Sequence, residues 1–121
     1  MTPTAQQLLG RRGEQLALAH YERLGFAPLA CNHRSRSGEL DLIVADAGTI
    51  VFVEVKTASV RGLDPLVSIT PRKLARLRRL AGEFLAGRPP PGARRAVRID
   101  VVAVVLDAGG ALVSLEQFAD V

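Results

Sequence analysis

The chain has 121 residues, 48% hydrophobic and 23% charged, which fits one globular domain over residues 1–121 and excludes a disordered or collagen-like chain. A net charge of +4 suits a polyanionic partner such as nucleic acid, without specifying any chemistry. The single Cys31 excludes an internal disulfide and is expected as a small buried hydrophobe, while no leader pattern or membrane-length apolar run is present, so the expectation is a cytoplasmic protein with no membrane partner.

From Ala5 to Leu24, Leu9, Leu16, Ala17 and Leu24 recur at helical spacing, and Gly25 fits a helix stop. Gly10 and Gly13 weaken that helix, which implies a start near Gly10 or close packing on another backbone. Phe26 to Arg34 is a weaker strand, followed by the turn Ser35-Arg36-Ser37-Gly38. Glu39–Ala45 and Ile50–Lys56 read as two strands of a hairpin about Asp46-Ala47-Gly48-Thr49. Thr57 to Ile69, with Gly62 and Pro65, reads as a loop carrying at most a short strand. Thr70-Pro71 begins a second helix through a capping hydroxyl and a first-turn proline. Leu74, Leu77, Ala81 and Phe84 form its core stripe, and it ends by Gly87 before a stiff proline connector. Val97–Leu106 suits a strand buried on both faces, and Ala111–Leu115 an edge strand after the turn at Asp107-Ala108-Gly109-Gly110.

A two-residue turn at Ala47-Gly48 would place Asp41 opposite Glu54 and Glu39 opposite Lys56, leaving Leu40, Leu42, Val44, Val51, Val53 and Val55 on an apolar face. Two carboxylates about 5 Å apart repel by roughly 3 kcal/mol at an effective dielectric near 20. A hard cation such as Mg2+ or Mn2+ would neutralise them, and Lys56 would then stand beside the water or phosphate. A solvated ion-pair network on a strand end is the other reading of the same spacing. Fourteen of the sixteen basic residues are arginine, so Lys56 and Lys73 mark places where a compact point charge is preferred to a guanidinium fork.

Asp41, Glu54 and Lys56 resemble the signature of the PD-(D/E)XK nuclease fold. Gly10-x-x-Gly13-Glu14, Asn32-x-Arg34, Gly38-Glu39-Leu40-Asp41-Leu42-Ile43, Phe52-Val53-Glu54-Val55-Lys56, Lys73 and Arg98-x-Asp100 together resemble the YraN-like family of small bacterial proteins with that fold. The resemblance implies an α/β, restriction-endonuclease-like αβββαβ core, a mixed central sheet flanked by helices. It implies Asp41 and Glu54 as metal ligands, the Val55 carbonyl as a further one, Lys56 as the catalytic lysine, and Glu14 as an additional acid from the first helix. Glu39 is a neighbouring candidate. Ala58 departs from the pattern, since members often carry an arginine there.

Arg34 and Arg36, beside the acidic end of the hairpin, are the preferred phosphate contacts, with Lys73 near a helix N-terminus as another. Arg61, Arg72 and Arg76 read as solvated surface. His20 and His33 lack metal-ligand partners at familiar spacing. Asp100, on a buried strand, requires a partner, and Arg98 on the same face is the local choice. The leading expectation is a Mg2+- or Mn2+-dependent endonuclease acting on DNA, in repair or recombination, with a homodimer among its assemblies. The alternatives are a noncatalytic nucleic-acid-binding module and, more weakly, an enzyme of smaller phosphorylated substrates. Five aromatic residues in all argue against a base-stacking platform, so backbone shape should matter more than sequence.

Overall fold

The computed structural model describes residues 2–60, 69–87 and 95–121. The order of elements is α1 (Ala5–Arg23), β1 (Ala27–Ser35), β2 (Gly38–Ala45), β3 (Thr49–Ser59), α2 (Pro71–Ala86), β4 (Ala96–Leu106) and β5 (Leu112–Phe118). The strands form one mixed sheet in the order β1-β2-β3-β4-β5. Only β3 and β4 are parallel, joined by the crossover that contains α2. Of the expected loop from Thr57 to Ile69, Thr57–Ser59 instead continue β3, and the remainder, with Arg61 and the proline connector, falls largely outside the described residues. No described helix is long and apolar enough to cross a membrane.

Local signals place both helices. Thr4 accepts from the Gln7 N–H while the Gln7 side chain accepts from the Thr4 N–H, closing a capping box. At the other end Gly25, at φ 94°, lets the Gly25 and Phe26 N–H groups reach the Glu22 and Tyr21 carbonyls, with Phe26 edge-on to Tyr21. Thr70 accepts from the Lys73 N–H above Pro71, as its sequence predicts, and α2 closes at Gly87.

The helices cover opposite faces of the sheet. Ala17 and Tyr21 of α1 pack on Leu42, Val44, Val51, Val53, Val55, Val102 and Val104. Leu77, Leu80, Ala81 and Phe84 of α2 pack on Leu40, Ile43, Ala45, Ile50, Phe52 and Ile99. The buried seam of α1 is Gly13, Ala17 and Tyr21, and the predicted Leu24 is half exposed beyond it. Gly10 meets nothing, but a Cβ on Gly13 would stand 1.9 Å from Thr57 Oγ1 and 2.9 Å from Thr57 Cβ. Close helix-to-sheet approach is therefore the role of Gly13 alone.

The hairpin register matches the expected one, with Leu42 opposite Val53 and Ala45 opposite Ile50. Its turn is secured by Asp46, whose Oδ1 accepts from the Gly48 and Thr49 N–H groups. The predicted apolar face, however, is interrupted. Leu40 and Leu42, which strict alternation would place together, belong to the α2 and α1 halves of the core respectively. The break coincides with Asn32, at φ 51° on β1, and with the missing ladder pair between Asn32 and Asp41. Asparagine tolerates that left-handed backbone, so the two strands change sides together at this point.

Asp100 is fully buried on β4 and does find Arg98, at 2.8 and 2.9 Å. It also accepts from the Tyr21 hydroxyl at 2.7 Å, the Gln117 amide at 3.0 Å and the Asp120 N–H at 3.0 Å. One carboxylate thereby ties α1, β4, β5 and the chain end, and this network holds its pKa below the usual range despite burial. The edge strand continues past the predicted Leu115 to Phe118 because Gln117 is part of this network.

Replacing Gly13 by alanine overpacks the α1–β3 contact, because the nearby Thr57 Cβ cannot be rotated away. The expected loss is about 1–3 kcal/mol, read from the midpoint of urea unfolding, with partial recovery in the Gly13→Ala/Thr57→Ala double variant.

Candidate functional site

Beyond Leu42 and Val53 the β2–β3 ladder ends, and a side chain takes the place of the next backbone pair. Asp41 Oδ2 accepts from the Val55 N–H at 2.8 Å. Val55 thus enters the site through its N–H. Asp41 sits in the fork between the strands, against the Glu54 carboxylate. Glu54 and Lys56 follow Phe52 along β3, on the side of the sheet that α2 covers. Glu54 Oε1 lies 3.7 Å from Lys56 Nζ and its Oε2 lies 3.5 Å from Arg76 Nη2. Arg76 reaches over Gly38, where a Cβ would stand 3.2 Å from its Nη1.

From the other face, α1 brings Glu14. Glu14, Arg11, Asn32, Cys31 and Asp41 line a depression of about 210 Å3. A second hollow, of about 510 Å3, shares Arg11, Glu14 and Asn32 and adds Gly10, Arg34 and Glu39. Cys31 is exposed here, contrary to its expected burial. β1 is an edge strand, and the shift of alternation at Asn32 leaves Cys31 facing the hollow under α1.

The electrostatics single out Asp41. Burial first, then the Glu54 carboxylate, and more weakly that of Glu14, push its carboxyl up to about 8, against the Val55 N–H, which favours the ionised form. Glu14 is also raised, chiefly by burial, with Glu39 and Glu54 adding and the Asn32 hydrogen bond and Arg11 opposing. Both oxygens of Glu54 face cations, whereas Asp41 has no ion pair among the described residues. Nor do three His, Cys, Asp or Glu side chains form a ready metal-ligand set among them.

Asp41, Glu54, Lys56 and Glu14 are thus brought together. The expected Glu39–Lys56 pair is not formed, because β2 has left β3 at that level. Glu39 instead meets Arg34 of β1 at 3.2 Å, in an exposed ion pair. Arg36 and Lys73 make no hydrogen bond or ion pair to the acids among the described residues. Arg36 occupies the exposed β1–β2 turn, which Ser35 and Ser37 pin to Glu83 of α2. Those two hydroxyls, Ser37 first, hold the Glu83 carboxyl below its usual pKa.

Two residues outside the predicted set belong to the site. Arg76 was legible only as one of several helix arginines, since its contact with Glu54 crosses from α2 to β3. Asn32 carried a signal of its own, a left-handed-tolerant residue inside a strand pattern, and it lines the depression beside Glu14 and Asp41.

Fold and site define a small mixed α/β protein with opposed acids and a lysine at a split hairpin. The chain belongs to the uncharacterised protein family UPF0102, whose model matches residues 13–104; this is the YraN-like family that the motif set resembles. It is 49% identical over 105 residues to a UPF0102 protein of Corynebacterium efficiens, covering 86% of this chain and 83% of that one. It is 50% identical over 97 residues to a relative from Mycolicibacterium vanbaalenii, covering 79% and 78% respectively. With a Pelotomaculum thermopropionicum relative the identity is 44% over 116 residues, 94% of each chain.

The raised Asp41 carboxyl fixes a pH dependence. Between the ordinary carboxylate pKa near 4 and about 8, the folded protein holds a proton that the unfolded chain has released, so stability falls as pH rises. Thermal unfolding without divalent cations should show this decline from pH 5 to 8, at about 1 kcal/mol per pH unit or less. Asp41→Asn should flatten it and be the more stable protein at pH 8; an unchanged slope in that variant would assign the effect elsewhere.

Proposed function

We propose that the protein is a divalent-cation-dependent nuclease of the PD-(D/E)XK class acting on DNA in repair or recombination, with its αβββαββ arrangement a restriction-endonuclease-like core. The single observation that carries this reading is the meeting of Asp41 with Glu54 and Lys56 at the fork of β2 and β3. The donors available are oxygens, as Mg2+ and Mn2+ require. A half-buried carboxyl without an ion pair among the described residues, against a second carboxylate, is the environment that a cation relieves.

In this reading Asp41, Glu54 and the Val55 carbonyl hold the cation, with Glu14 completing or orienting the set. When bound, the cation supplies an activated water and neutralises the scissile phosphate. Lys56 turns from Glu54 toward the phosphate oxygens and stabilises the charge that develops there. Arg76, now on Glu54, holds that carboxylate in place. Glu39 keeps Arg34 at the rim, and Arg34, Arg36 and Lys73 are the proposed contacts for the flanking phosphates.

A noncatalytic DNA-binding module is the second reading, favoured by one observation: no three-acid ligand set is preassembled among the described residues. Purified protein incubated with duplex, single-stranded and branched DNA separates the two. Under the nuclease reading, cleavage requires Mn2+ or Mg2+ and falls by about 10²–10³-fold or more in Asp41→Ala and Lys56→Ala. Binding without cleavage of any substrate would favour the module, and cleavage that survives both substitutions would place the chemistry elsewhere.

A further inference from the structure

We propose that one row of α2, Arg72, Arg76 and Arg79, joined by Arg36 of the β1–β2 turn, is the surface on which a DNA backbone docks. This rests on the reading of the protein as one that acts on DNA, and it names the face that receives the substrate. Positions 72, 76, 79 and 83 follow one another at helical spacing and so lie on one side of α2. Two contacts fix where that side points. Arg76 reaches Glu54 at the candidate site, and Glu83 holds Ser35 and Ser37 on either side of Arg36. The row therefore runs along the outside of the β1–β2 turn and passes the fork that holds the acids.

Its charge is unbalanced. Arg72 and Arg79 are exposed, and neither has an ion pair among the described residues. Glu83 is the only acid on α2 and is already engaged by the two serines. Arg72 and Arg79 stand seven positions apart, about 10 Å along the helix, matching roughly three phosphates at about 3.4 Å axial rise per strand. Guanidinium forks suit phosphate oxygens. An anionic membrane is the poorer partner, because Leu77, Leu80, Ala81 and Phe84, the apolar side of α2, are buried against the sheet, leaving nothing to insert into lipid. Arg76 links docking to chemistry by holding Glu54 at the point where the row meets the fork.

The test is fluorescence anisotropy of a labelled duplex in EDTA, titrated with salt, so that it needs no metal and no cleavage. Arg72→Gln/Arg79→Gln should lower the slope of log affinity against log salt by about 2, with its unfolding temperature unchanged because both side chains are exposed. The charge-matched Arg12→Gln/Arg23→Gln variant on α1 should keep most of the wild-type slope. Equal slopes in wild type and the α2 variant, or an equal loss in the α1 variant, would overturn the proposal. So would a wild type that binds phosphatidylserine vesicles but not duplex. The nuclease reading fails separately: a wild type that docks with the expected slope but cleaves nothing with Mn2+ leaves the surface standing. Cleavage at an unchanged KM in the α2 variant would remove the surface and leave the nuclease.

Discussion

The hydrogen bond from the Val55 N–H to Asp41 is the constraint on which the site depends. A regular hairpin would continue past Leu42 and Val53 with backbone pairs, and its acids would project as an ordinary surface row. Here the N–H of Val55 is given to a carboxylate, so the strands separate without leaving that donor unsatisfied. The opening leaves a fork that groups from both faces of the sheet approach. Glu14 approaches from α1 because Gly13 lets that helix close on Thr57, and Arg76 approaches from α2 over Gly38.

The same opening has an electrostatic cost. Asp41 is withdrawn from water and set against Glu54, and its proton affinity rises accordingly. Glu54 is relieved by Lys56 and Arg76, while the protein supplies Asp41 with only a backbone dipole. Asp100, by contrast, is more deeply buried and yet remains ionised, because a guanidinium, a hydroxyl, an amide and an N–H all converge on it. The two aspartates show the difference between a carboxylate whose needs are met by the fold and one whose needs are left open.

Much of this was legible in the amino-acid order, for local reasons. Gly25, Thr70-Pro71, Gly87 and the Asp46 turn act through neighbours in sequence, and the elements they bound stand as predicted. The hairpin register followed from its turn, and Asp100 with Arg98 followed from alternation on one strand. What escaped depended on partners far apart in the chain. Tyr21 is buried because its hydroxyl reaches Asp100, which spacing within α1 cannot reveal, and Leu24 beyond it is left outside. The expected pairing of Glu39 with Lys56 assumed unbroken alternation, which Asn32 and Asp41 interrupt, and the expected burial of Cys31 rested on residue type alone, whereas its place on an edge strand leaves it exposed.

That interruption also explains why a weak sequence pattern yields a defined site. Acids and a lysine alternating on a strand are common on solvated surfaces, and alternation alone cannot distinguish such a surface from a built centre. The distinguishing residues are small or unusual ones around it: Asn32 with its left-handed backbone, Gly13 without a side chain, and Gly38 at φ 139°. Each removes an obstacle to bringing charge together, and none carries charge itself. A chain that only needed a solvated ion-pair network would gain nothing from three such positions about one fork. Their convergence about Asp41 and Glu54 is what separates this corner of the fold from an alternating, solvated strand end.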